Sequence, residues 1–148
     1  MSNHSLPAVL RLLGAQAQIE QRFSGKLGSI HGLSLKETLL LMHLSRAPRQ
    51  RLTRVDLAKM VSVSASTITR MAAPLEKLGL VSREPDPRDA RLAYVVLTEA
   101  GGSVVADAAA TFEQLSADVF QDRWTEPEIE RLASLLGRLT AGQPGHFG

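Results

Sequence analysis

The order of local signals across residues 53–101 constrains this chain more than any other feature. The stretch reads TRVDLAKMVSVSASTITRMAAPLEKLGLVSREPDPRDARLAYVVLTEAG. Thr53 is placed to cap a short helix that carries Val55, Leu57, Ala58 and Met60. Ser62 or Ser64 caps a second helix that ends near Lys77, and Gly79 stands just past its end, where a positive φ is needed. Residues 80–84 and 93–97 read as two strands, the second apolar on both faces and so expected to be well covered. Between them lies Pro85-Asp86-Pro87-Arg88-Asp89-Ala90-Arg91. Its two prolines fix φ and remove two amide donors, which places this segment in a loop tip and not in a strand interior. An isolated hairpin is not stable in water. It must pack on the helices and leave its tip projecting. Helix, turn, helix, hairpin is the outline of a winged helix-turn-helix.

The flanking segments read as helices. The first spans about residues 6–29, with apolar positions Leu6, Leu10, Leu13 and Ala17, then Phe23, Leu27 and Ile30. The period slips between Ala17 and Phe23, so one face cannot serve the whole length. Ser34 and Glu37 form a capping box at the head of a second helix through Leu39, Leu40, Leu41, Met42 and Leu44, which stops before Pro48. Arg51-Leu52 fits a short strand. Thr98 caps a long helix to about residue 120, and Thr125-Glu126-Pro127-Glu128 is a second capping box before Ile129, Leu132, Leu135, Leu136 and Leu139. Residues 142–148 read as a frayed tail. The expected fold is mainly α with a small β-hairpin wing, and 148 residues without an internal repeat fit one domain.

Composition excludes several classes. The chain has no cysteine, hence no disulfide, thiolate metal site or cysteine-based sensor. No apolar run approaches the roughly 18 residues of a membrane span. No basic start precedes an apolar run at the N-terminus, so no signal peptide and a cytoplasmic location are expected. The histidines (His4, His31, His43, His146) are scattered, and no phosphate loop or nucleophile motif occurs. No enzyme, cofactor or metal site is therefore expected. Charge is uneven: residues 49–91 hold nine basic and five acidic side chains, a net +4, against −2 for the remainder. Arg49, Arg51 and Arg54 open this basic stretch and are candidates for contact with a polyanion backbone.

Rotating 100° per residue from Ile68 sorts the second helix of the pair into two faces. Ser64, Ile68, Met71, Ala72, Leu75 and Leu78 form a core stripe. Ser66, Thr69, Arg70, Ala73 and Lys77 form the opposite face. Short polar residues near a helix N-terminus let the backbone approach a DNA groove, and hydroxyls bond bases or phosphates. Arg70 has the fork to bond a guanine edge twice. Pro74 removes the bond to the Arg70 carbonyl and is expected to bend the helix there. In the tip, Arg88 and Arg91 suit a neighbouring minor groove, and Asp89 is expected to orient Arg91 or another Arg of the patch. The expected partner is double-stranded DNA. The alternative is a winged-helix module for protein–protein contact without sequence-specific DNA binding.

The pattern resembles the MarR family of transcriptional regulators. The residues that carry the resemblance are Asp56-Leu57-Ala58, Ser64-x-Ser66-Thr67-Ile68-Thr69-Arg70, Leu75-Glu76-Lys77-Leu78-Gly79-Leu80-Val81, Asp86-Pro87-x-Asp89-x-Arg91 and Leu97-Thr98-Glu99-Ala100-Gly101. Ala90 departs from the pattern, since the family often carries a second Arg there; Arg88 stands close by. The resemblance implies a lobe over residues 34–98 and dimerisation helices over residues 5–30 and 99–141. It implies a homodimer, with Leu6, Leu10, Leu13, Leu132, Leu135, Leu136 and Leu139 as interface candidates. Two recognition helices imply an inverted-repeat operator. The resemblance further implies a repressor and a cleft for a small aromatic or phenolic effector, for which Phe23, His31, His43 and Phe112 are the lining candidates. Thr67 joins the DNA contact set through the same motif.

Overall fold

The computed structural model describes residues 3–89 and 92–141. Ala90, Arg91 and the tail from residue 142 lie outside the described residues, and with them the expected minor-groove contact of Arg91. In chain order the elements are α1 (Ser5–His31), α2 (Leu35–Arg46), β1 (Arg51–Thr53), α3 (Arg54–Val61), α4 (Ala65–Lys77), β2 (Val81–Pro85), β3 (Ala93–Leu97), α5 (Glu99–Val119) and α6 (Glu126–Thr140).

Side-chain caps start every helix except α1. Ser34 Oγ accepts from the Glu37 amide at 3.0 Å, and Glu37 Oε1 accepts from the Ser34 amide at 2.9 Å. The Thr53, Thr98 and Thr125 hydroxyls accept from the Asp56, Gly101 and Glu128 amides at the heads of α3, α5 and α6, and of these only α6 has the reciprocal bond, from the Thr125 amide to Glu128. Of the two serines before α4, Ser64 is the cap, accepting from the Thr67 amide at 3.1 Å. Ser62 instead takes a left-handed φ of 62° and closes α3, whose last carbonyl, on Val61, accepts from Lys36 Nζ at 3.2 Å. Each cap satisfies a helix-end group that would otherwise lack a partner. α4 is continuous across the exposed Pro74, whose own carbonyl still accepts from the Leu78 amide at 3.1 Å.

The sheet is antiparallel with strand order β1-β3-β2. β3 is the middle strand; Val95 and Leu97 on its inner face are buried, whereas Tyr94 and Val96 on the other face are half-buried, so the strand is less fully covered than its apolar pattern suggests. Pro85, expected in the loop tip, is instead the last residue of β2, opposite Ala93. β2 is an edge strand, and the end of an edge strand tolerates a residue without an N–H.

The core is centred on Leu40, Leu41 and Leu44 of α2, all fully buried, with Leu27, Leu57, Ile68 and Leu75 around them. The core stripe of α4 is shorter than its periodicity suggests. Ile68, Ala72 and Leu75 are buried, whereas Ser64 is an exposed cap and Leu78 is 68% exposed. α4 ends at Lys77, and Gly79, at φ 76°, turns the chain into β2 before Leu78 meets any core partner. Two segments remain uncovered. The buried residues of α1 are Phe23 and Leu27 alone, while Leu6, Leu10 and Leu13 are each more than half exposed. α6 has no buried residue, with Leu132 half-buried and Leu135, Leu136 and Leu139 exposed.

The wing base is fixed to α5. The Thr98 amide donates to the Leu80 carbonyl at 3.1 Å, and its hydroxyl donates to the Gly79 carbonyl at 2.5 Å. Gly101 lies so close to this junction that a Cβ would run into the Leu80 carbonyl oxygen and Leu97 Cδ1. Backbone cannot move aside as a flexible side chain can. Gly101→Ala is expected to destabilise the fold by about 1–3 kcal/mol, read as a lower urea midpoint. An unchanged midpoint would contradict this packing.

Candidate nucleic-acid interface

Burial of Ile68, Ala72 and Leu75 turns Ser66, Arg70, Ala73 and Lys77 outward. At the N-terminal end of α4 the hydroxyls form a short network. Ser64 Oγ lies 3.0 Å from Ser66 Oγ and 2.9 Å from Thr67 Oγ1. Arg70 Nη2 donates to Thr67 Oγ1 at 3.2 Å, which holds the guanidinium along the helix surface toward the α4 N-terminus. One cation and three hydroxyls thus share the end of the helix that already carries partial positive charge. This cluster suits an anionic, hydrogen-bonding partner.

Thr69 differs from its expected place on the outward face. It is half-buried, its hydroxyl donates to the Ala65 carbonyl at 3.2 Å, and it accepts from Arg54 Nη1 at 2.6 Å. Its 100° offset from Ile68 puts it at the border of the two faces, where α3 reaches it. Arg54 accordingly ties α3 to α4, with further guanidinium donors left for other contacts. Arg51 also has an internal role: Nη1 bonds Glu84 Oε1 at 3.1 Å, and the guanidinium lies 4.3 Å from the Tyr94 ring centroid. Arg49 is exposed, at φ 58°, and Gln50 follows at φ 55°. Two successive left-handed non-glycine residues are strained backbone, set between α2 and β1.

The wing tip is organised by Asp86, a residue of the tip segment for which the sequence suggested no bonding role. Asp86 Oδ1 accepts from the Arg88 amide at 2.7 Å and the Asp89 amide at 3.0 Å. Asp86 Oδ2 accepts from the Tyr94 hydroxyl at 3.0 Å. Backbone bonds from Asp86 N to Leu92 O and from Leu92 N to Asp89 O, both 3.0 Å, close the turn. An Asp whose side chain bonds amides two and three residues on is ordinary turn chemistry, and that was the available signal. The Arg88 amide is the leading reason the Asp86 carboxyl is held below the usual carboxylate range, followed by the Asp89 amide, with Tyr94 and Arg51 acting the same way. The Asp86 carboxylate in turn pushes the Tyr94 phenol up. Arg88 is exposed at the tip. Asp89 contributes its backbone to the turn, while its expected partner Arg91 is not among the described residues.

Three of the four effector candidates, Phe23, His31 and Phe112, lie along the seam between α1 and α5, and His43 lies in α2. Phe23 is buried and meets Phe112 edge to face, with ring centroids 4.9 Å apart. His31 Nε2 lies 2.7 Å from Thr111 Oγ1, which joins α1 to α5. His43 is buried in α2, and burial, then Arg46, lowers its pKa. A cleft of about 260 Å³ lies between α2 and α5, lined by Met42, Ser45, Arg46, Gln50, Val105 and Ala106 among others, and none of the four lines it. Among the described residues no group of three or more His, Cys, Asp or Glu is arranged to hold a metal, and no helix is long and apolar enough to cross a membrane.

A depressed pKa means the ionised Asp86 stabilises the folded tip. That contribution is complete above the ordinary carboxylate value, about 3.9, and fades as pH falls through the lower native value. We expect the Asp86 side-chain carbon resonance to titrate below the ordinary value, with the Arg88 and Asp89 amide resonances moving at the same midpoint. An ordinary midpoint with unmoved amides would contradict this description of the tip.

Comparison with known proteins agrees with this geometry. The MarR family model matches residues 33–92, from the start of α2 to the wing. Among curated proteins, YcgE of Bacillus subtilis, named an uncharacterized HTH-type transcriptional regulator, is 30% identical over 87 residues, 59% of this chain. That match spans 56% of the relative's own length, a little over half. Among solved structures, Sco3205 of Streptomyces coelicolor, a MarR family transcriptional regulator in complex with DNA, superposes with a TM-score of 0.83 at 25% identity, covering 96% of this chain and 89% of that one. A cysteine-to-serine variant of MarR from E. coli, complexed with operator DNA, gives a TM-score of 0.77 at 25% identity, covering 92% and 96%. The sequence match spans α2, the helix-turn-helix and the wing, the structural match extends over nearly all the helices around them, and in both respects the chain is similar to the MarR family.

Proposed function

We propose that this chain is a sequence-specific DNA-binding transcriptional regulator that works as a homodimer. One observation carries the reading: the core packing of α4 leaves Ser66 and Arg70 facing outward near the helix N-terminus, with Lys77 outward at its other end. On this reading α4 enters the major groove, Arg70 reads a base edge, and Ser64, Ser66 and Thr67 contact bases or phosphates. The wing carries Arg88, and Arg91 after it, to the adjacent minor groove, with Arg49 and Lys77 as backbone contacts. Two similar proteins, Sco3205 and the E. coli MarR variant, have been solved on DNA, which supports the same use of the fold here.

The dimer reading rests on the uncovered apolar faces. The first half of α1 and all of α6 expose leucines that a monomer would leave in water. A second copy covering Leu6, Leu10, Leu13, Leu132, Leu135, Leu136 and Leu139 removes that exposure. The division into a lobe over residues 34–98 and dimerisation helices over residues 5–30 and 99–141 rests on the resemblance; of these segments, the first half of α1 and α6 carry the exposed leucines. Two lobes related by a twofold axis call for an inverted repeat with half-sites about 34–36 Å apart. Repression, and release by a small aromatic or phenolic ligand, complete the reading on the strength of the resemblance. Such a ligand acts only by favouring one spacing of the lobes.

Two substitutions separate the roles. Arg70→Ala should weaken the preferred duplex by about 1–3 kcal/mol and relax the preference at one base position. Lys77→Ala should weaken all duplexes alike and lower the salt slope by about one. Parent-like binding by both variants contradicts this assignment and is what a protein-contact module predicts. For the dimer, Leu135→Glu with Leu139→Glu should give a monomer in sedimentation analysis, and a retained dimer would contradict the α6 interface.

A further inference from the structure

The outer face of the small sheet carries an anchor for the wing. Arg51 on β1, Tyr94 on β3 and Glu84 on β2 share one face, because Tyr94 is paired with Thr53 and Glu84, and Arg51 is two residues from Thr53. This is the face opposite the one on which Val95 is buried. Tyr94 therefore has no place in the core. Its ring is instead covered by the Arg51 guanidinium, 4.3 Å from the centroid, and Arg51 is held there by Glu84 at 3.1 Å. Its hydroxyl reaches beyond the strand to Asp86 Oδ2 at 3.0 Å. The other oxygen of the same carboxylate gathers the Arg88 and Asp89 amides.

We infer that Tyr94 and Arg51 are positioning residues for the wing, and that they fix where Arg88 meets DNA. The inference rests on the proposed DNA-binding function and assigns to it two residues outside the contact surface. A carboxylate that only gathered two amides would fold the turn, yet leave the turn free to swing about the ends of β2 and β3. The Tyr94 hydroxyl ties that carboxylate to the sheet. Arg51 stacked on the ring, and Glu84 on Arg51, hold the tyrosine through all three strands. Guanidinium stacking on a tyrosine face is directional and favourable at this distance. Arg51 was expected to bind phosphate directly; its geometry makes it a support for the tip.

The test uses the full chain, with Tyr94→Phe, which keeps the ring under Arg51 and removes only the hydroxyl, and Arg51→Gln as a second variant. Backbone order parameters at Arg88 and Asp89 are measured by amide nitrogen relaxation, and affinity is measured for a duplex the parent selects. In the parent the two amides should lie near the rigid value of about 0.85, and in Tyr94→Phe they should fall toward the flexible value of about 0.6. Duplex affinity should drop several-fold in both variants, with the ranking of duplex sequences unchanged because α4 is untouched. Parent-like order at the tip in Tyr94→Phe would overturn the anchor. A loosened tip with parent affinity would overturn its role in DNA contact. If the parent selects no duplex, the DNA reading itself fails, and tip order alone still decides whether Tyr94 is the anchor.

Discussion

Burial of Ile68, Ala72 and Leu75 is the contact on which the rest of the molecule depends. Fully burying an Ile or Leu side chain stabilises by roughly 1.5–3 kcal/mol. Three neighbouring residues on one stripe therefore hold the rotation of α4 against anything its polar face does. That rotation decides which side chains face out. It also brings Thr69 against Arg54, so α3 and α4 are joined by a short polar bond as well as by apolar packing. The outward hydroxyls and Arg70 then sit on a rigid support, which suits recognition better than a surface that must be ordered on binding.

The hairpin obeys a different constraint. It is too small to stand alone, and its stability is borrowed from both ends. At its base the Thr98 hydroxyl and amide hold the Gly79 and Leu80 carbonyls, and the missing Cβ at Gly101 lets α5 close on them. At its tip Asp86 supplies the acceptors that the turn amides need, and Tyr94 connects that carboxylate to the sheet. An acidic residue beside a proposed phosphate-binding surface looks misplaced by charge alone. Its internal bonds explain it: its charge is directed at two amides and a phenol.

Much of this was legible in the sequence, because the signals are local. Helix caps such as Ser34, Thr53, Thr98 and Thr125 act within three residues, and Gly79 marks its turn by itself. The apolar pattern of residues 93–97 marked a strand, though only its Val95 and Leu97 face is buried. What escaped depends on distant partners. A helical wheel gives an angle but no neighbour, so it could not show that Leu78 lies beyond the reach of the core or that Arg54 occupies Thr69. Arg51 looked like a free basic residue because Glu84 and Tyr94 are far from it in sequence and adjacent to it only through the sheet. That Phe23 and Phe112 meet edge to face was likewise not legible, because α1 and α5 are far apart in sequence.

The most direct measurement is selection from a random duplex pool by the purified full chain, with the enriched sequences read out. The account predicts enrichment of an inverted repeat whose half-sites are about one helical turn apart, matching two α4 helices in one dimer. Salt-sensitive binding with no enriched sequence would contradict it, since the outward face of α4 would then be holding phosphates without reading bases.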